Sequence, residues 1–408
     1  MLMVCPRMQK DSAETLPFLT NDVGEYAVAN ENIPTHFLTC KYRLLPTRSQ
    51  HKRLEEICES QRILYNAALE ERIDCYKKTG KGRSYIDQCK AVTELRQDEQ
   101  FSQIPANLQR WTLKRLDDAY KGFFKRGGFP RFRSKNRWKS FGFAEFSGIQ
   151  FDGKHIRIKG CPSVKVHVHR PLRGEIKSCT FRRDTKGWYI CFQCAIPSEL
   201  KQHIGKKIGI DVGLESFATL SNGEKIPNPR IARKASQELR RRQRALARCK
   251  RGSNRRRKVK ARLARAHDKI SNTRRSFLHQ QSARLVRQYS VIAVEDLKIR
   301  NMVKNHHLAR SIYDAGWGIF MNMIEYKAVE AGTRFVKVDS RNTSQSCSGC
   351  GEIVRKELKE RTHSCPSCGL VLDRDENAAL NILSRGGIVP HQANVAECRE
   401  RPDRKICG

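Results

Sequence analysis

The chain has 408 residues, of which 80 are Lys or Arg and 42 are Asp or Glu, so its formal net charge is 80 − 42 = +38. A mean hydropathy of −0.65, with no run of about 18 apolar residues, argues against a membrane protein. So large a positive charge favours a nucleic-acid partner and argues against a small-molecule enzyme without one. The polar N-terminus lacks the apolar core of a signal peptide, so the 16 cysteines are expected to be thiols or metal ligands.

The first 35 residues differ in charge from the rest of the chain. They contain two basic and five acidic residues, a net charge of 2 − 5 = −3, and show no clear helical or strand periodicity. We expect this segment to be a loosely ordered acidic leader.

The first half of the chain predicts a β-module that is interrupted by helices. Residues 36–48, which begin HFLTCKYRLL, predict a strand, and apolar residues at three- and four-residue steps predict helices over 49–124. After Gly127-Gly128 the period changes to two, and segments such as SVKVHVHR and GWYICFQCAI predict strands within 125–204.

The second half alternates strands and helices, which is typical of an α/β domain over 205–344. IGIDVGLESFATLSNGEKI predicts a strand hairpin, and SVIAVEDL and FVKVD predict two further strands. Helices are expected near 276–288 and 312–332. Residues 371–384 contain a last helix, and 385–408 form a C-terminal tail.

Residues 231–275 carry the strongest positive charge, with 19 Lys or Arg against two acidic residues, or 19 − 2 = +17. Gly252-Ser253-Asn254 lies between two stretches of loosely helical spacing, so we predict a basic helical hairpin. A solvated helix face normally mixes both signs, so the dominance of one sign favours contact with nucleic acid. The candidate contact residues here are Arg241, Arg242, Arg255, Arg256 and Arg257.

A second basic stretch, residues 120–143, interleaves cations with aromatic residues. Cations suit phosphates and aromatic faces can stack on bases, so a nucleic-acid surface is one interpretation. The alternative is that the aromatic residues form the core of a strand-rich module, and the sequence leaves both open. The candidate nucleic-acid contacts here are Lys125, Arg126, Arg131 and Arg133.

Three acidic residues lie beside apolar sequences. Asp211 lies within IGIDVGL, Glu295 follows VIAV, and Asp375 opens the last helix. Carboxylates that converge from neighbouring elements favour Mg²⁺ or Mn²⁺, and two such ions can promote phosphodiester hydrolysis. The three residues are therefore candidate catalytic residues and magnesium ligands. Alternatives remain open: Asp211 could be an ordinary strand-end acid, Asp375 could cap its helix, and Asp373 could be the third ligand.

Two CxxC pairs, separated by 14 residues and each followed by glycine, indicate a metal site over 345–370. Two such turns present four thiolates to one tetrahedral ion, so we predict a structural zinc ribbon without an open position for water. The four candidate zinc ligands are Cys347, Cys350, Cys365 and Cys368. Cys191 and Cys194 have the same spacing, but in a predicted strand they point to opposite faces and are expected in the core.

Six motifs, in this order, resemble one known family: IGIDVGL, VIAVEDL, DAGWG, TSQSCSGCG, CPSCG and DRDENAALNI are similar to segments of the transposon-encoded TnpB proteins. These are RNA-guided DNA nucleases and compact relatives of type V CRISPR effectors. The resemblance is specific over about 205–384 and fair over 36–205, where GFPRF also fits. It implies a RuvC-type nuclease domain of RNase H-like fold interrupted by a zinc ribbon. It also implies an N-terminal wedge β-barrel with an inserted helical recognition segment.

The resemblance also implies roles and partners. Asp211, Glu295 and Asp375 fall on the family's catalytic triad, and the four CxxC cysteines fall on its zinc ligands. The implied partners are a guide RNA from the transposon end and double-stranded target DNA, which is cut beside a short flanking motif. We therefore expect a cytoplasmic, Mg²⁺-dependent, RNA-guided DNA endonuclease of a bacterium or archaeon.

Three alternatives remain open at this point. The chain could be a compact CRISPR-associated type V effector, which neighbouring genes and not the chain itself would distinguish. It could bind DNA under RNA guidance without cutting, although the intact triad argues against that. It could be a transposase that joins DNA ends, but the sequence offers no obvious His-hydrophobic-His pair with a tyrosine nucleophile.

Overall fold

The computed structural model of the chain describes residues 35–97, 102–197, 204–357 and 360–387. The predicted acidic leader up to residue 34, and the predicted tail beyond residue 387, lie outside these ranges. Within them, no helix is both long and apolar enough to span a bilayer. Two large sheets, one in each half, organise this part of the chain.

The N-terminal half is built on a seven-stranded antiparallel sheet. Its strands are β1 (Thr35–Leu45), β2 (Ser140–Phe143), β3 (Ile149–Phe151), β4 (His155–Ile158), β5 (Cys161–His167), β6 (Glu175–Asp184) and β7 (Gly187–Pro197). Their order is β2-β6-β7-β1-β5-β4-β3, so the first strand in sequence lies at the centre. The edge strands β2 and β3 are not paired with each other. The described sheet is curled. Its closure into the expected barrel remains a prediction, because its two edge strands do not pair.

Period-two alternation places one face of this sheet in the core. Strand β7 buries Trp188, Ile190, Phe192 and Cys194, whereas Cys191 points to the opposite, partly exposed face. As predicted, the pleat separates the two cysteines of this CxxC sequence, so they cannot act together as a ligand pair.

Among the described residues between β1 and β2, the chain forms long helices, as the change in periodicity predicts. They are α1 (Arg48–Thr79), α2 (Tyr85–Leu95) and α3 (Ala106–Arg126). Thr47 begins α1 with a capping box that it shares with Gln50. The helix ends at Gly80, whose φ of 68° is accessible to glycine at little cost. Leu54 and Leu108 join α1 and α3 to the buried face of the sheet in one core.

The second half is built on a five-stranded sheet. Its strands are β8 (Lys206–Val212), β9 (Ser216–Leu220), β10 (Lys225–Pro227), β11 (Tyr289–Glu295) and β12 (Arg334–Val338), in the order β10-β9-β8-β11-β12. Strands β8, β9 and β10 form an antiparallel meander, whereas β11 runs parallel to both β8 and β12. The carboxyl ends of β8, β11 and β12 therefore meet at one edge, the usual place for a site in an α/β sheet.

Two helical predictions for this half need correction. The helices are α4 (Ile231–Lys234), α5 (Ser236–Ala247), α6 (Asn254–Gln288), α7 (Ile299–Met302), α8 (His306–Ala315) and α9 (Trp317–Ala331). The basic hairpin exists, but its second arm α6 continues to residue 288, because no glycine or proline interrupts it before the buried Leu278 and Leu285. The helix expected over 312–332 is broken at Gly316, whose φ of 73° ends α8.

The last described elements are β13 (Thr362–Ser364), β14 (Val371–Asp373) and α10 (Arg374–Arg385). Helix α10 crosses β8 so closely that a Cβ at Gly209 would lie 2.8 Å from the backbone nitrogen of Leu383, and would also meet the carbonyl of Ala379. Asp375 lies one helical turn before Ala379, and Asp211 lies two residues after Gly209 on the same strand face. Because Gly209 has no side chain, α10 can pack close to β8, and this packing brings Asp375 towards Asp211.

Replacing Gly209 with Ala should push α10 away from β8. Because the clash is with backbone atoms that cannot rotate away, we expect the free energy of unfolding to fall by about 1–3 kcal/mol. Thermal unfolding of Gly209→Ala beside Gly82→Ala checks this, since an added Cβ at Gly82 meets nothing within 4 Å. Equal melting temperatures for the two variants would contradict the packing argument.

Candidate active site and nucleic-acid surfaces

Three carboxylates converge at one edge of the five-stranded sheet. Asp211 is the penultimate residue of β8, and Glu295 is the last residue of β11. Ile210 lies opposite Val294 in the parallel ladder, so Asp211 and Glu295 follow at the same level on neighbouring strands. Asp375 belongs to the first turn of α10, which packs across β8. We call these three residues the carboxylate cluster.

The electrostatics of the cluster show that its charges interact. Asp211 is partly exposed at the sheet edge, but protein densely surrounds its carboxyl group, and this burial raises its pKa well above the ordinary value. The charges of Glu295 and Asp375 raise the pKa of Asp211 further. Burial also raises the pKa of Glu295, against an opposing hydrogen bond from Thr343. Negative charge is thus held here at a cost that a cation would remove.

Asp373, the alternative third ligand, caps helix α10. Its carboxylate accepts the N–H groups of Asp375 at 3.0 Å and Glu376 at 3.2 Å, and Lys225 Nζ lies 2.7 Å away. Partial burial raises the pKa of Asp373, but Lys225 and the helix N–H groups outweigh it and lower the pKa overall. Asp375 is therefore not the helix cap, and these contacts favour it over Asp373 as the third member of the cluster.

The spacing of the carboxylates limits how they could coordinate a metal ion. In the described part of the chain, one group of three or more His, Cys, Asp or Glu residues has all its ligand atoms within 4.8 Å, and that group is the four CxxC cysteines. The carboxylates are spread more widely, which is compatible with ions held by pairs of acids and not by all three at once. Clustered carboxylate oxygens suit a hard cation such as Mg²⁺.

Two arginines that the sequence analysis did not single out pair with Asp375. Arg374 Nη2 lies 3.0 Å from Asp375 Oδ1, and Arg361 Nη1 lies 3.7 Å from Asp375 Oδ2. Arg361 also forms an ion pair with Glu215 at 2.8 Å. It reaches the cluster from the segment between the two CxxC pairs, where the sequence gives no periodic or motif signal for such a contact.

The four predicted zinc ligands form one compact group. The Sγ atoms of Cys347 and Cys368 are 3.6 Å apart, and those of Cys350 and Cys365 are 3.5 Å apart. Tetrahedral Zn²⁺ with Zn–S bonds of about 2.3 Å would separate its sulfurs by roughly 3.8 Å. The donor set and its size therefore fit a zinc ion.

The same tight turn is formed at both CxxC pairs. Gly351 and Gly369 have φ values of 81° and 73°, and their N–H groups donate to the carbonyls of Cys347 and Cys365, each at 2.9 Å. A side chain at either glycine would be strained, which explains why each CxxC is followed by glycine. The backbone N–H of Cys368 helps to lower the pKa of Cys365 to about 7, whereas burial and the neighbouring thiols raise the pKa of Cys347 and of Cys350. Cys365 is therefore the most readily deprotonated of these three thiols.

Two buried asparagines of α10 fasten the cysteine-rich segment to the carboxylate cluster. Asn377 donates to the carbonyl of Ser346 at 2.8 Å, and Asn381 donates to the carbonyls of Thr343 at 2.9 Å and Ser346 at 2.7 Å. Thr343 in turn donates its hydroxyl to Glu295. The sequence analysis missed these residues. Two asparagines four residues apart on the buried face of a helix are the signal that could have indicated the first two.

The arginines predicted to bind nucleic acid in the basic hairpin differ in their surroundings. Arg241 and Arg242 both pair with Glu238 at 2.6 Å. Arg256 donates to the carbonyl of Leu246 at 2.9 Å, so it caps the end of α5. A phosphate would have to compete with these contacts.

Arg255 is exposed on the first turn of α6, and Arg257 contacts Asn254. Between α5 and α6 lies a groove of about 850 Å³, whose floor is apolar and whose rim carries arginines, among them Arg262 and Arg265. This arrangement suits a nucleic-acid backbone, and the contacts themselves stay a prediction.

Asp314, in the DAGWG motif, anchors the base of the hairpin. Its carboxylate accepts the N–H groups of Ala232 at 2.8 Å and Arg233 at 3.2 Å, and it pairs with Arg274 at 3.1 Å. This one side chain therefore ties α4, α6 and α8 together. The motif has a structural role in positioning the basic hairpin on the second half of the chain.

The structure divides the aromatic stretch of the N-terminal half into two parts. Trp138 and Phe141 are buried in the core of the sheet, whereas Phe124, Phe129 and Phe132 are 79%, 47% and 54% exposed. The core interpretation is therefore correct for the second part, and the first part remains available for a ligand.

The four cations predicted to bind nucleic acid in this stretch differ in their exposure to solvent. Lys125, Arg126 and Arg131 are exposed at the end of α3 and in the loop beyond it. Arg133 is half-buried, and Asn66 of α1 holds its backbone by two hydrogen bonds of 2.8 and 3.0 Å. The loop is thus clamped to α1, with its first cations turned to solvent.

Three family models match the chain. One described as "Probable transposase" matches residues 191–306, one for the Cas12f1-like TNB domain matches 317–382, and one for a helix-turn-helix domain matches 38–81. In the structure, the last range forms strand β1 followed by the single long helix α1, and not two helices around a turn.

Two relatives are similar to the chain over most of their length. A protein of Streptomyces pristinaespiralis that is assigned as an RNA-guided DNA endonuclease is 35% identical over 392 residues, covering 90% of this chain and 97% of the relative. InsQ of Escherichia coli strain K12, with the same assignment, is 29% identical over 375 residues, covering 86% and 92%. The chain belongs to the TnpB family of RNA-guided DNA endonucleases.

A solved Cas12f1 structure, in complex with guide RNA and target DNA, has the same overall fold as this TnpB-family chain. The TM-score is 0.55 at 15% identity, and the match covers 82% of this chain and 83% of that one. At this identity the likeness establishes the fold alone. It does not favour a CRISPR-associated effector over a TnpB protein.

Replacing Asp211 with Asn should stabilise the cation-free protein, because it removes one of three repelling carboxylates. The folded-state pKa of Asp211 is raised, so the wild-type protein loses stability as pH rises above about 4, the ordinary value for Asp. Asp211→Asn avoids this loss, so its advantage should be absent near pH 4 and reach about 1–2 kcal/mol at neutral pH.

Thermal unfolding in EDTA between pH 4 and pH 8 checks this, with Asp296→Asn as the control. Asp296 follows Glu295, but it is exposed and pairs with Lys298 at the surface. Mg²⁺ should raise the melting temperature of the wild-type protein and have less effect on Asp211→Asn. A variant that is less stable than wild type in EDTA at neutral pH would contradict the interpretation.

Proposed function

We propose that this TnpB-family chain cuts double-stranded DNA, at a site selected by a guide RNA, through Asp211, Glu295 and Asp375. The observation that carries the proposal is the convergence of these acids at the carboxyl edge of two parallel strands, where burial and mutual repulsion raise the pKa of Asp211. Acids held this way at a structural cost are typical of functional sites. The family is one of RuvC-type nucleases.

The cluster is proposed to hold Mg²⁺ or Mn²⁺, through Asp211, Glu295 and Asp375. When bound, two such ions would activate the attacking water and stabilise the leaving oxygen of the phosphodiester. The chain itself fixes the positions of the acids through the β8–β11 register, and through the close packing of α10 at Gly209. Arg361 and Arg374 balance the charge of Asp375 and lie within reach of a phosphate that approaches it.

Guide RNA and target DNA are the proposed partners. The net charge of +38, and the +17 concentrated in the basic hairpin, suit long polyanions. In RNA-guided enzymes, base pairing reads the sequence and the protein reads a short flanking motif. We propose that the guide derives from the end of the transposon that encodes the protein, and that the protein acts in the cytoplasm of a bacterium or archaeon.

Four cysteines, Cys347, Cys350, Cys365 and Cys368, are proposed to hold one structural Zn²⁺. Its role would be to keep the cysteine-rich segment rigid, since that segment carries Arg361 to the cluster and Thr343 to Glu295. The four sulfurs leave no position for water, so zinc takes no part in hydrolysis.

Cleavage by variants of the cluster tests the nuclease proposal. The substrate is duplex DNA that matches the variable end of the RNA that copurifies with the protein, placed beside a randomised flank. Asp211→Asn, Glu295→Gln and Asp375→Asn should each lower the cleavage rate in Mg²⁺ by about 10²–10⁴-fold, because each removes charge that positions the cations.

Asp373→Asn is the matched control, because asparagine caps helices as well as aspartate does and should preserve the start of α10. It should retain most of the activity. All four variants should copurify with the same amount of RNA as wild type. Loss of bound RNA would mean that the acids mainly hold the fold, and loss of cleavage in Asp373→Asn alone would make Asp373 the third ligand.

Zinc analysis of the purified protein tests the cysteine site. We expect one Zn²⁺ per chain in the wild-type protein and none in Cys365→Ser, together with a lower melting temperature and slower cleavage. Cys161→Ser removes a partly exposed thiol elsewhere and should leave all three quantities unchanged. Zinc-free wild-type protein with full activity would contradict the assignment.

A further inference from the structure

Four aromatic residues form a cluster where α3 ends. Tyr120, Phe123 and Phe124 lie on its last turns, and Phe129 follows the Gly127-Gly128 turn. The ring centroids of Phe123 lie 5.1 Å from Phe124 and 5.3 Å from Phe129, and those of Tyr120 lie 6.4 Å and 5.7 Å from the same two rings. We call these four residues the aromatic cluster.

The aromatic cluster projects from the core of the N-terminal half. Tyr120 packs against the buried residues of that core, whereas Phe124 is 79% and Phe129 is 47% exposed. A contiguous apolar surface in contact with water is unfavourable, and in soluble proteins it typically marks a binding site. Nothing in the packing of α3 requires phenylalanine at position 124.

One ring of the cluster protrudes and the others support it. Phe129 meets Tyr120 at 81° and Phe123 at 75°, and these edge-to-face contacts fix the supporting rings. Phe124 packs against the rings of Tyr120 and Phe123, and most of its surface is exposed. A single supported ring has the shape of a wedge, whereas a single strand would call for a row of rings with parallel faces.

The charges around the ring identify the partner. Lys125 and Arg126 follow Phe124 at the end of α3, Arg131 lies in the loop two residues after Phe129, and all three are exposed. Self-association through this patch would bring three cations from each copy together, which opposes a dimer. A nucleic-acid duplex supplies both what the cations need, which is phosphate, and what the ring needs, which is a flat base.

We propose that Phe124 is a wedge that stacks on the first base of the target DNA to be unpaired beside the flanking motif. Lys125, Arg126 and Arg131 would hold the neighbouring phosphates. This inference rests on the proposed function, because guide pairing requires that the two DNA strands first separate next to the motif. Stacking on the ring replaces part of the base stacking that opening removes, as with other intercalating side chains.

The test measures strand opening separately from cleavage. The ribonucleoprotein with its copurified RNA is mixed with two guide-matched duplexes, one fully paired and one already mismatched at the first positions beside the flank. The displaced strand carries 2-aminopurine at those positions, so its fluorescence reports opening. Phe124→Ala should slow opening of the paired duplex by about 5- to 150-fold, the range expected for loss of one base–aromatic contact.

Two further variants sharpen the comparison. Phe124→Trp keeps a flat ring and should open the paired duplex at close to the wild-type rate. Phe37→Ala removes another exposed phenylalanine, 59% exposed on β1, and should behave as wild type. On the mismatched duplex, all variants should bind and cut as wild type does, because no base pair next to the flank has to be opened.

Several results would overturn the inference. An unchanged rate of strand opening in Phe124→Ala would contradict the proposed wedge role. An equal defect on both duplexes would assign Phe124 to DNA binding and not to strand opening. Loss of copurified RNA in Phe124→Ala would make the guide RNA the occupant of the cluster. If the wild-type protein opens the duplex but does not cut it, the wedge role is supported and the proposed nuclease function is refuted. Failure of the wedge proposal and failure of the nuclease proposal are therefore distinguishable.

Discussion

The repulsion among three acids at one edge of the five-stranded sheet is the constraint on which the nuclease half depends. Parallel pairing places Asp211 beside Glu295, and the absence of a side chain at Gly209 lets α10 bring Asp375 to them. The fold therefore spends part of its stability to hold negative charge in one place. In the proposed mechanism, this arrangement fixes the donor set before a cation or DNA binds, so little reorganisation would be needed at the reaction step.

The cysteine-rich segment and the carboxylate cluster are joined by hydrogen bonds and an ion pair. Helix α10 contributes Asp375 at its first turn, and two of its asparagines, Asn377 and Asn381, hold the chain that leads into the first CxxC turn. From that segment Thr343 reaches Glu295, and Arg361 reaches Asp375. The proposed zinc ion would therefore influence the proposed cleavage through the positions of these side chains.

The parts of the fold that the sequence predicts well are those with a strong local signal. Period-two alternation predicts β7 and the separation of its two cysteines, although only Cys194 lies in the core, and the CxxC-glycine turns follow from the geometry of their glycines. The sequence predicts two helices in place of the long helix α6, because a change from basic to apolar composition resembles a boundary, although no glycine or proline is present.

Contacts between distant segments have no such local signal. Arg361 lies in an irregular segment and contacts Asp375 only in the folded chain, and the preference for Asp375 over Asp373 rests on the hydrogen bonds at the start of α10.

The most direct test of the account is to replace the variable segment of the guide RNA and to map the cuts in a DNA pool that contains the old and the new target. We predict that the cut moves to the new target and requires Mg²⁺. A cut that stays at the old target, or that occurs without RNA, would contradict RNA-guided cleavage.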